Sequence, residues 1–236
     1  MFINKQEHRL IHISLRALNW TEGDHVWFDA KLAQGTSTDV YWGDGQRSTL
    51  RPGLNGWARA EHYYKFKDQQ YQIEFLSDNP SCLLELVDGT WETEVEHVFI
   101  ENCPTLTILQ YHGVEKFDLT GCPNLEVFDC ESFQGTSLDL SELSDLKCLR
   151  LHSLENLDAI NLNKNHDLEV LDLGFSKIRK VAIPNNSKLE QLSWDETRLD
   201  KHSRNWLLKV IEKNDVEIVD YISNLRMSIG VMQDYR

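Results

Sequence analysis

A six-residue phrase of the form Leu-x-x-Leu-x-Leu recurs five times, and no other feature of this chain limits its fold as strongly. The copies follow one another at nearly equal intervals along the chain, and other apolar residues replace leucine at four positions. The five copies are Leu106–Tyr111, Leu125–Cys130, Leu146–Leu151, Leu168–Leu173 and Leu189–Trp194. A repeat this short cannot bury its own apolar side chains, so neighbouring repeats must stack to form a core. The phrase therefore predicts a solenoid.

A second phrase follows the same period and alternates apolar with polar residues, which is typical of a half-buried β-strand. Its copies are Phe117–Thr120, Leu138–Ser141, Ile160–Asn163 and Val181–Pro184, after an imperfect one at Val98–Glu101. A repeat with so short a period holds two short strands and leaves no room for a full helix. We expect a mostly β solenoid of about five repeats.

The outward positions of the leucine phrase form the candidate binding surface. Alternation along a strand turns the leucines inward and directs the second, fourth and sixth residues after the first leucine outward. Because neighbouring strands lie about 4.8 Å apart, the outward side chains of successive repeats form columns. The partner-binding residues predicted on this surface are Val127, Asp129, Glu131, Cys148, Arg150, His152, Val170 and Asp172. They combine an apolar column with charges, as the cores and rims of protein interfaces do.

Catalytic chemistry has little support in the sequence. His112, Glu131 and His152 share one outward row about 10 Å long, which allows two interpretations, a metal or acid–base site and a solvated polar surface with scattered histidines. We favour the second. The chain has no nucleophile elbow, phosphate-binding loop, dinucleotide-binding turn or His-Glu-x-x-His motif. The sequence predicts a non-enzymatic protein without a metal or cofactor.

Residues 1–82 carry a different pattern, with short alternating stretches that are rich in aromatic residues. Such stretches predict an antiparallel all-β sandwich. The change of pattern places a domain boundary near residues 80–92, so the solenoid is expected over residues 83–236. Its end, from about residue 200 to 236, is expected to be a cap, which solenoids need for solubility.

The expected cap has two parts. Residues 200–213 have the apolar spacing of an amphipathic helix, with Trp206, Leu207, Val210 and Ile211 on one face. Residues 216–222 have the composition of a closing strand.

Three motifs of the first segment resemble those of the PKD (polycystic kidney disease) domain, an immunoglobulin-like sandwich. They are Trp42–Gly45, His62–Tyr64 and Tyr71–Phe75. The resemblance extends over most of the first segment and departs from the family by lacking the glycine before the last strand. It implies that these residues are structural and not catalytic.

The second segment resembles a bacterial leucine-rich repeat family. Phe117–Thr120 and Leu138–Ser141 match the second strand of that family's repeat, whereas Ser176 and Thr197 replace the family's usual asparagine. The resemblance implies a solenoid. Family members with a PKD-like domain are usually surface or secreted proteins.

The net charge of −14 is concentrated in the repeats. Residues 1–82 hold nine Lys/Arg and ten Asp/Glu, whereas residues 83–236 hold fifteen and twenty-eight. An acidic surface of this kind repels nucleic acid and anionic lipid and favours a basic protein partner, and it also keeps a long solenoid soluble. We expect a protein partner, basic in character, with a glycan as the alternative ligand and no nucleic acid.

Two further sequence features bear on the cellular location of the protein. No run of about 18 apolar residues occurs, so the sequence predicts no membrane span. The first ten residues lack the apolar core of a secretory signal. With the start that the sequence shows, we therefore expect a cytoplasmic protein. A true start further upstream, or a removed leader, would instead place it at the cell surface or outside the cell.

The five cysteines are an odd number without the spacing of a disulfide framework. Cys103 and Cys122 occupy the repeat position that later holds Leu143, Asn165 and Asn186, where a side chain fills the solenoid turn. A Cys103–Cys122 bridge fits the same geometry, but we expect five free, buried thiols.

The sequence thus predicts a non-enzymatic protein–protein interaction protein that uses an acidic repeat surface. Two narrower hypotheses remain open. One is a cell-surface adhesin or glycan-binding protein, which requires export. The other is a cytoplasmic immunity-type inhibitor of a basic toxin, which fits the charge and the absence of a recognisable signal.

Overall fold

The computed structural model describes residues 8–16, 25–65, 69–89, 94–185 and 187–219. The described chain is mostly β with a single helix, and residues 85–193 form a β-solenoid of about five turns. This confirms the solenoid that the repeated phrases predict.

The first seven strands pair in antiparallel fashion with one another, and the seventh leads into the solenoid. They are β1 (His8–Arg16), β2 (Val26–Leu32), β3 (Thr38–Tyr41), β4 (Arg47–Leu50), β5 (Trp57–His62), β6 (Gln70–Ser77) and β7 (Leu83–Asp88).

The later elements belong to the repeats and to the end of the solenoid. They are β8 (Glu94–Ile100), β9 (Ile108–His112), β10 (Val114–Asp118), β11 (Val127–Glu131), β12 (Cys148–His152), β13 (Ala159–Asn161), β14 (Val170–Asp172), β15 (Lys180–Ala182), β16 (Gln191–Ser193), α1 (Lys201–Asn214) and β17 (Glu217–Ile218). Strands β9, β11, β12, β14 and β16 are formed by the leucine phrases. They pair in parallel with one another.

Two large sheets run through both segments of the chain. The nine-stranded sheet has the order β17-β16-β14-β12-β11-β9-β7-β2-β5, and the six-stranded sheet has the order β10-β8-β1-β6-β3-β4. The sheets pack against each other where Phe28 of β2 meets Phe75 of β6, with ring centroids 5.4 Å apart. The buried apolar residues of both segments form one continuous core.

The pattern boundary at residues 82 and 83 therefore coincides with no break in either sheet. Strand β1 pairs with β8 across it, and β2 pairs with β7, which pairs in turn with β9. The two-domain division stays a prediction about independent folding, which the circular dichroism spectrum of an isolated fragment 1–82 tests. Residues 90–92, which the boundary prediction includes, lie outside the described residues.

The leucine phrases line the inside of the solenoid. Their first and fourth residues are at most 1% exposed in every copy, from Leu106 to Leu192. Burying a side chain of this size stabilises the fold by about 2 kcal/mol relative to leaving it in water. Stacking the five copies therefore supplies a large part of the solenoid's core.

The second phrase forms strands in only some repeats. β10 pairs with β8 and β13 pairs with β15, whereas residues 138–141 form no strand, so the prediction of two strands is wrong for that repeat. The Asp139 carboxylate accepts the N–H of Ser141 at 3.0 Å, and the same local turn recurs at Asp118 and Asn161. Such turns satisfy backbone groups that a strand ladder would otherwise use.

At the repeat position that Cys122 and Asn165 share, the side chain fills the solenoid turn, as the sequence predicts. Cys122 contacts the carbonyl oxygen of Leu119 at 3.2 Å, and the Asn165 amide donates to Leu140 and Leu143 carbonyls at 3.0 and 2.7 Å. The predicted Asn186 lies outside the described residues.

All five cysteines are free and buried, which confirms the thiol prediction. Burial raises the pKa of each thiol, that of Cys122 to about 12. A thiol with so high a pKa is almost entirely protonated at neutral pH and therefore unreactive.

The predicted capping helix is present as α1. Asp200 is its N-cap and accepts the N–H of Ser203 at 2.7 Å, while Leu207 and Val210 are buried against the solenoid. β17 then pairs in parallel with β16, which confirms the start of the predicted closing strand. Residues 220–222 of that strand lie outside the described residues. Within the described chain, no helix has the length and apolar character needed to span a membrane.

Candidate functional site

The outward side chains of β9, β11, β12, β14 and β16, called here the outer face, lie in three straight rows. The parallel register places Ile108, Val127, Cys148, Val170 and Gln191 in the first row. It places Gln110, Asp129, Arg150, Asp172 and Ser193 in the second. The third row starts with His112, Glu131 and His152. All eight residues of the predicted binding surface therefore lie on three neighbouring strands.

The first row is an apolar strip separate from the main core. Val127 and Cys148 are each 4% exposed, and Ile108, Val170 and Val219 pack around them as partly buried side chains. Val219 follows β17 and belongs to no leucine phrase. The strip is thus a second, smaller hydrophobic cluster on the far side of the sheet.

The second row centres on a buried ion triad. The Arg150 guanidinium lies 3.4 Å from the Asp129 carboxylate through Nη1 and 3.6 Å from the Asp172 carboxylate through Nε. Gln110 also donates to Asp129 at 3.1 Å, and the N–H of Gly174 donates to Asp172 at 2.9 Å. The cation therefore bridges two carboxylates on the strands to either side of it.

This row is far less exposed than the sequence suggests. Alternation predicts charged side chains pointing into water, and they do point away from the main core. Asp129, Arg150 and Asp172 are nevertheless only 5%, 9% and 0% exposed. Removing one member of a buried ion pair typically costs about 3–5 kcal/mol, because the remaining charge is left without compensation. Substitutions at this triad therefore change stability as well as the surface.

The third row places a carboxylate between two imidazoles. Glu131 lies 3.9 Å from His112 Nε2 and 3.9 Å from His152 Nδ1 through its two oxygens, and Ser153 Oγ lies 2.8 Å from His152 Nδ1. Burial lowers the pKa of His152, which favours its neutral form. Among the described residues, no group of three or more His, Cys, Asp or Glu side chains is arranged to hold a metal ion.

A backbone feature at the end of these strands escaped the sequence analysis. Shortly after each strand of the outer face, one residue has a positive φ of 54–60°. These residues are Gly113, Ser132, Ser153, Phe175 and Glu196. Each follows the first leucine of its phrase at the same distance along the chain, and this shared position is the signal that could have found them. Only one is glycine, so residue type gave no indication.

One of these residues adds an exposed aromatic ring to the outer face. Phe175 is 45% exposed, and its ring centroid lies 5.1 Å from that of His152. An exposed phenylalanine held in a conformation unfavourable for its side chain is uncommon. It extends the third row with an apolar contact surface.

The rows also continue beyond the repeats onto the first segment. Val87, Asp29 and Arg59 extend the second row across β7, β2 and β5. Asp29 and Arg59 form two parallel hydrogen bonds of 2.8 Å, the geometry of a strong carboxylate–guanidinium pair. The sequence analysis missed this extension because β2 and β5 lack the leucine phrase.

A groove lies on the other side of the solenoid. It has a volume of about 890 Å³ and lies between β13, β15 and α1. Its charged lining mixes Asp158 and Asp200 with Lys180 and His202. With both signs present, this groove defines no ligand class.

Comparison with protein-family models, curated proteins and solved structures gives no match for this chain. Its class therefore rests on the structure alone, a mostly β protein built around a β-solenoid of about five turns.

Proposed function

We propose that this β-solenoid is of the leucine-rich repeat class and that the first segment is PKD-like. The inward leucines, the repeat period and the parallel strands support the first assignment. For the second, the motif residues gather in one place: Trp42 stacks on His62, and a ring nitrogen of His62 lies 2.9 Å from the Asp44 carboxylate. These contacts give the motif residues a structural task, as the resemblance implies.

The protein's function in this proposal is to bind another protein, without catalysis, through the outer face. The observation that carries it is the Asp129–Arg150–Asp172 row. A sheet needs only small or apolar side chains at these positions to be stable, and a buried ion triad is a costly alternative. Charges kept in such positions on a rigid, regular surface suit recognition, because rigidity lowers the entropy lost on binding.

The partner is basic in this proposal. The net charge of −14, the Glu131 carboxylate and the one carboxylate of the triad that Arg150 leaves unbalanced create a negative field around the outer face. Such a field steers a positive partner and raises its association rate. Exposed charges are screened beyond about 8 Å at physiological salt, so association must slow as salt is added.

A matched pair of charge reversals tests the proposal. Glu131 lies on the outer face, whereas Glu142 is exposed in the turn directly after Leu138–Ser141, the second phrase of its repeat. The partner is first recovered by affinity capture from the native lysate and purified, and its Kd is then measured by calorimetry. Glu131→Lys should weaken binding about tenfold or more, a loss of about 1.4 kcal/mol, and Glu142→Lys less than twofold.

Equal effects of the two reversals would move the site away from the outer face. A partner that binds equally well in low and high salt would remove the electrostatic part of the proposal. Both variants must keep the circular dichroism spectrum of the parent, since Glu131 contacts two histidines.

The two narrower functions differ in their ligand. A basic toxin or nuclease that is inhibited in a salt-dependent manner supports the immunity-type function. A glycan that binds with little salt dependence supports the adhesin. The acidic outer face favours the first.

A further inference from the structure

Phe175 is unfavourable both in its exposure and in its backbone conformation. Its ring is 45% exposed, although phenylalanine is usually buried, and its φ is 54°. A bulky residue seldom adopts this left-handed conformation, because its Cβ comes close to the following carbonyl oxygen. Strain of this kind is concentrated at sites that a protein uses for a function.

The solenoid itself does not require a ring at this position. The same repeat position, with the same backbone conformation, is held by Gly113, Ser132 and Ser153. The N–H of each of these residues donates to a carbonyl of the next repeat, as the N–H of Phe175 donates to the Asp195 carbonyl at 2.8 Å. The backbone makes this hydrogen bond whatever the side chain, so the phenyl ring adds nothing to it.

The neighbouring repeats place polar side chains on both sides of the ring. On the preceding repeat, the His152 ring lies 5.1 Å away between ring centroids. On the following repeat, Glu196 holds the same position as Phe175, and adjacent strands lie about 5 Å apart. Glu196 is exposed, and within the described chain no ion pair involves its carboxylate. An exposed ring and an exposed carboxylate thus occupy adjacent positions.

Arginine is the side chain that matches this pair of groups. Its planar guanidinium stacks on aromatic rings, attracted by their negative faces, and donates several hydrogen bonds to carboxylates. Lysine carries the same charge on a compact, strongly hydrated ammonium, which suits the two contacts less well. The acidic repeats attract either cation, so the ring is the group that distinguishes between them.

We propose that the Phe175 ring and the Glu196 carboxylate bind an arginine side chain of the partner at the edge of the outer face. The ring then adds specificity to an attraction that the net charge alone leaves nonspecific. The arginine site stands independently of the proposed function, whereas its use by a protein partner rests on that function.

Two capped peptides of equal charge, tetra-arginine and tetra-lysine, test the site without the partner. Calorimetry in low salt measures the Kd of each peptide for the full chain. Tetra-arginine should bind about fivefold tighter than tetra-lysine, the scale of a cation–π contact at an exposed site. Equal binding of the two peptides to the parent protein would overturn the proposal.

A matched pair of substitutions at Phe175 isolates the aromatic face. Leucine keeps the backbone strain and much of the apolar surface but has no aromatic face, so Phe175→Leu should reduce the arginine-to-lysine preference to about twofold or less. Phe175→Tyr keeps the face and should keep the preference. An unchanged preference in Phe175→Leu, or its loss in both variants, would show that the ring does not act through its face and would overturn the proposal.

A second matched pair tests the carboxylate. Glu196→Gln and Glu142→Gln each remove one exposed negative charge from the repeats. Glu196→Gln should weaken tetra-arginine binding about fivefold and Glu142→Gln about twofold or less, since Glu196 alone of the two lies beside the ring. Equal effects of the two substitutions would overturn the part assigned to Glu196.

The purified partner separates this inference from the proposed function. Weaker binding in both Glu131→Lys and Phe175→Leu supports both. A loss in Glu131→Lys with none in Phe175→Leu keeps the proposed function and overturns the role of Phe175 in it. If the peptides reveal the arginine site and neither substitution affects the partner, the site stands and the partner docks elsewhere.

Discussion

The two faces of the solenoid strands follow different rules. On the inside, the first and fourth positions of the phrase are leucine in every repeat but one, in which Phe128 holds the fourth. On the outside, the second row changes residue type at nearly every strand, as Gln110, Asp129 and Arg150 show. Stacking requires only the inner face to repeat. The variable outer face is therefore the part of the solenoid on which recognition can be specified.

The largest expected effect is on the inner face. Leu149→Ala should lower the free energy of unfolding by about 3–5 kcal/mol, because the side chain is fully buried and leaves a cavity. Val170→Ala, on the partly buried outer row, should cost about 1 kcal/mol. Urea unfolding followed by circular dichroism measures both. Equal losses would mean that the two faces contribute alike to stability.

The ion triad should give the next largest effect. Arg150→Met alone should cost about 3 kcal/mol, since it leaves Asp129 and Asp172 buried without their cation. Combining it with Asp129→Asn and Asp172→Asn should recover more than half of that loss in the same unfolding experiment. No recovery would show that Arg150 acts by packing rather than by charge.

A smaller effect is expected at the left-handed positions. Glu196 is exposed at φ 56°, a conformation that costs a residue with a side chain about 1 kcal/mol, so Glu196→Gly should stabilise the protein by up to that amount. Glu190→Gly, at an exposed residue without a positive φ, should destabilise it by about 0.5–1 kcal/mol. Thermal unfolding of the two variants should shift in opposite directions. A shift in the same direction would contradict the strain.

The smallest effect is a pH dependence. The pKa of His152 in the folded protein is lowered, chiefly by burial, so the unfolded chain binds its proton more readily. His152 therefore contributes stability that is present above pH about 6.5 and is lost as the pH falls through the lower folded pKa. Unfolding of His152→Gln should be less sensitive to pH in this range than unfolding of the parent. An unchanged pH profile would remove His152 from the account.

The sequence predicts those features of the fold that depend on local spacing and composition. The leucine phrases, the alignment of the outward columns, the helix after Asp200 and the free thiols follow from local spacing and composition, and all are present. The joining of β7 to β9 could not be predicted, because pairing between strand edges depends on their positions in space and leaves no local pattern. Nor could the burial of Arg150, since alternation gives the direction of a side chain but not what lies over it.

Carboxylate footprinting of the complex shows whether a protein partner docks on the outer face. The purified partner is bound to the full chain, exposed carboxylates are labelled, and the labelled residues are identified by mass spectrometry. We expect the partner to protect Glu131 and to leave Glu142 and Asp158 as reactive as in the free protein. Protection of Glu142 or Asp158 with no change at Glu131 would contradict it.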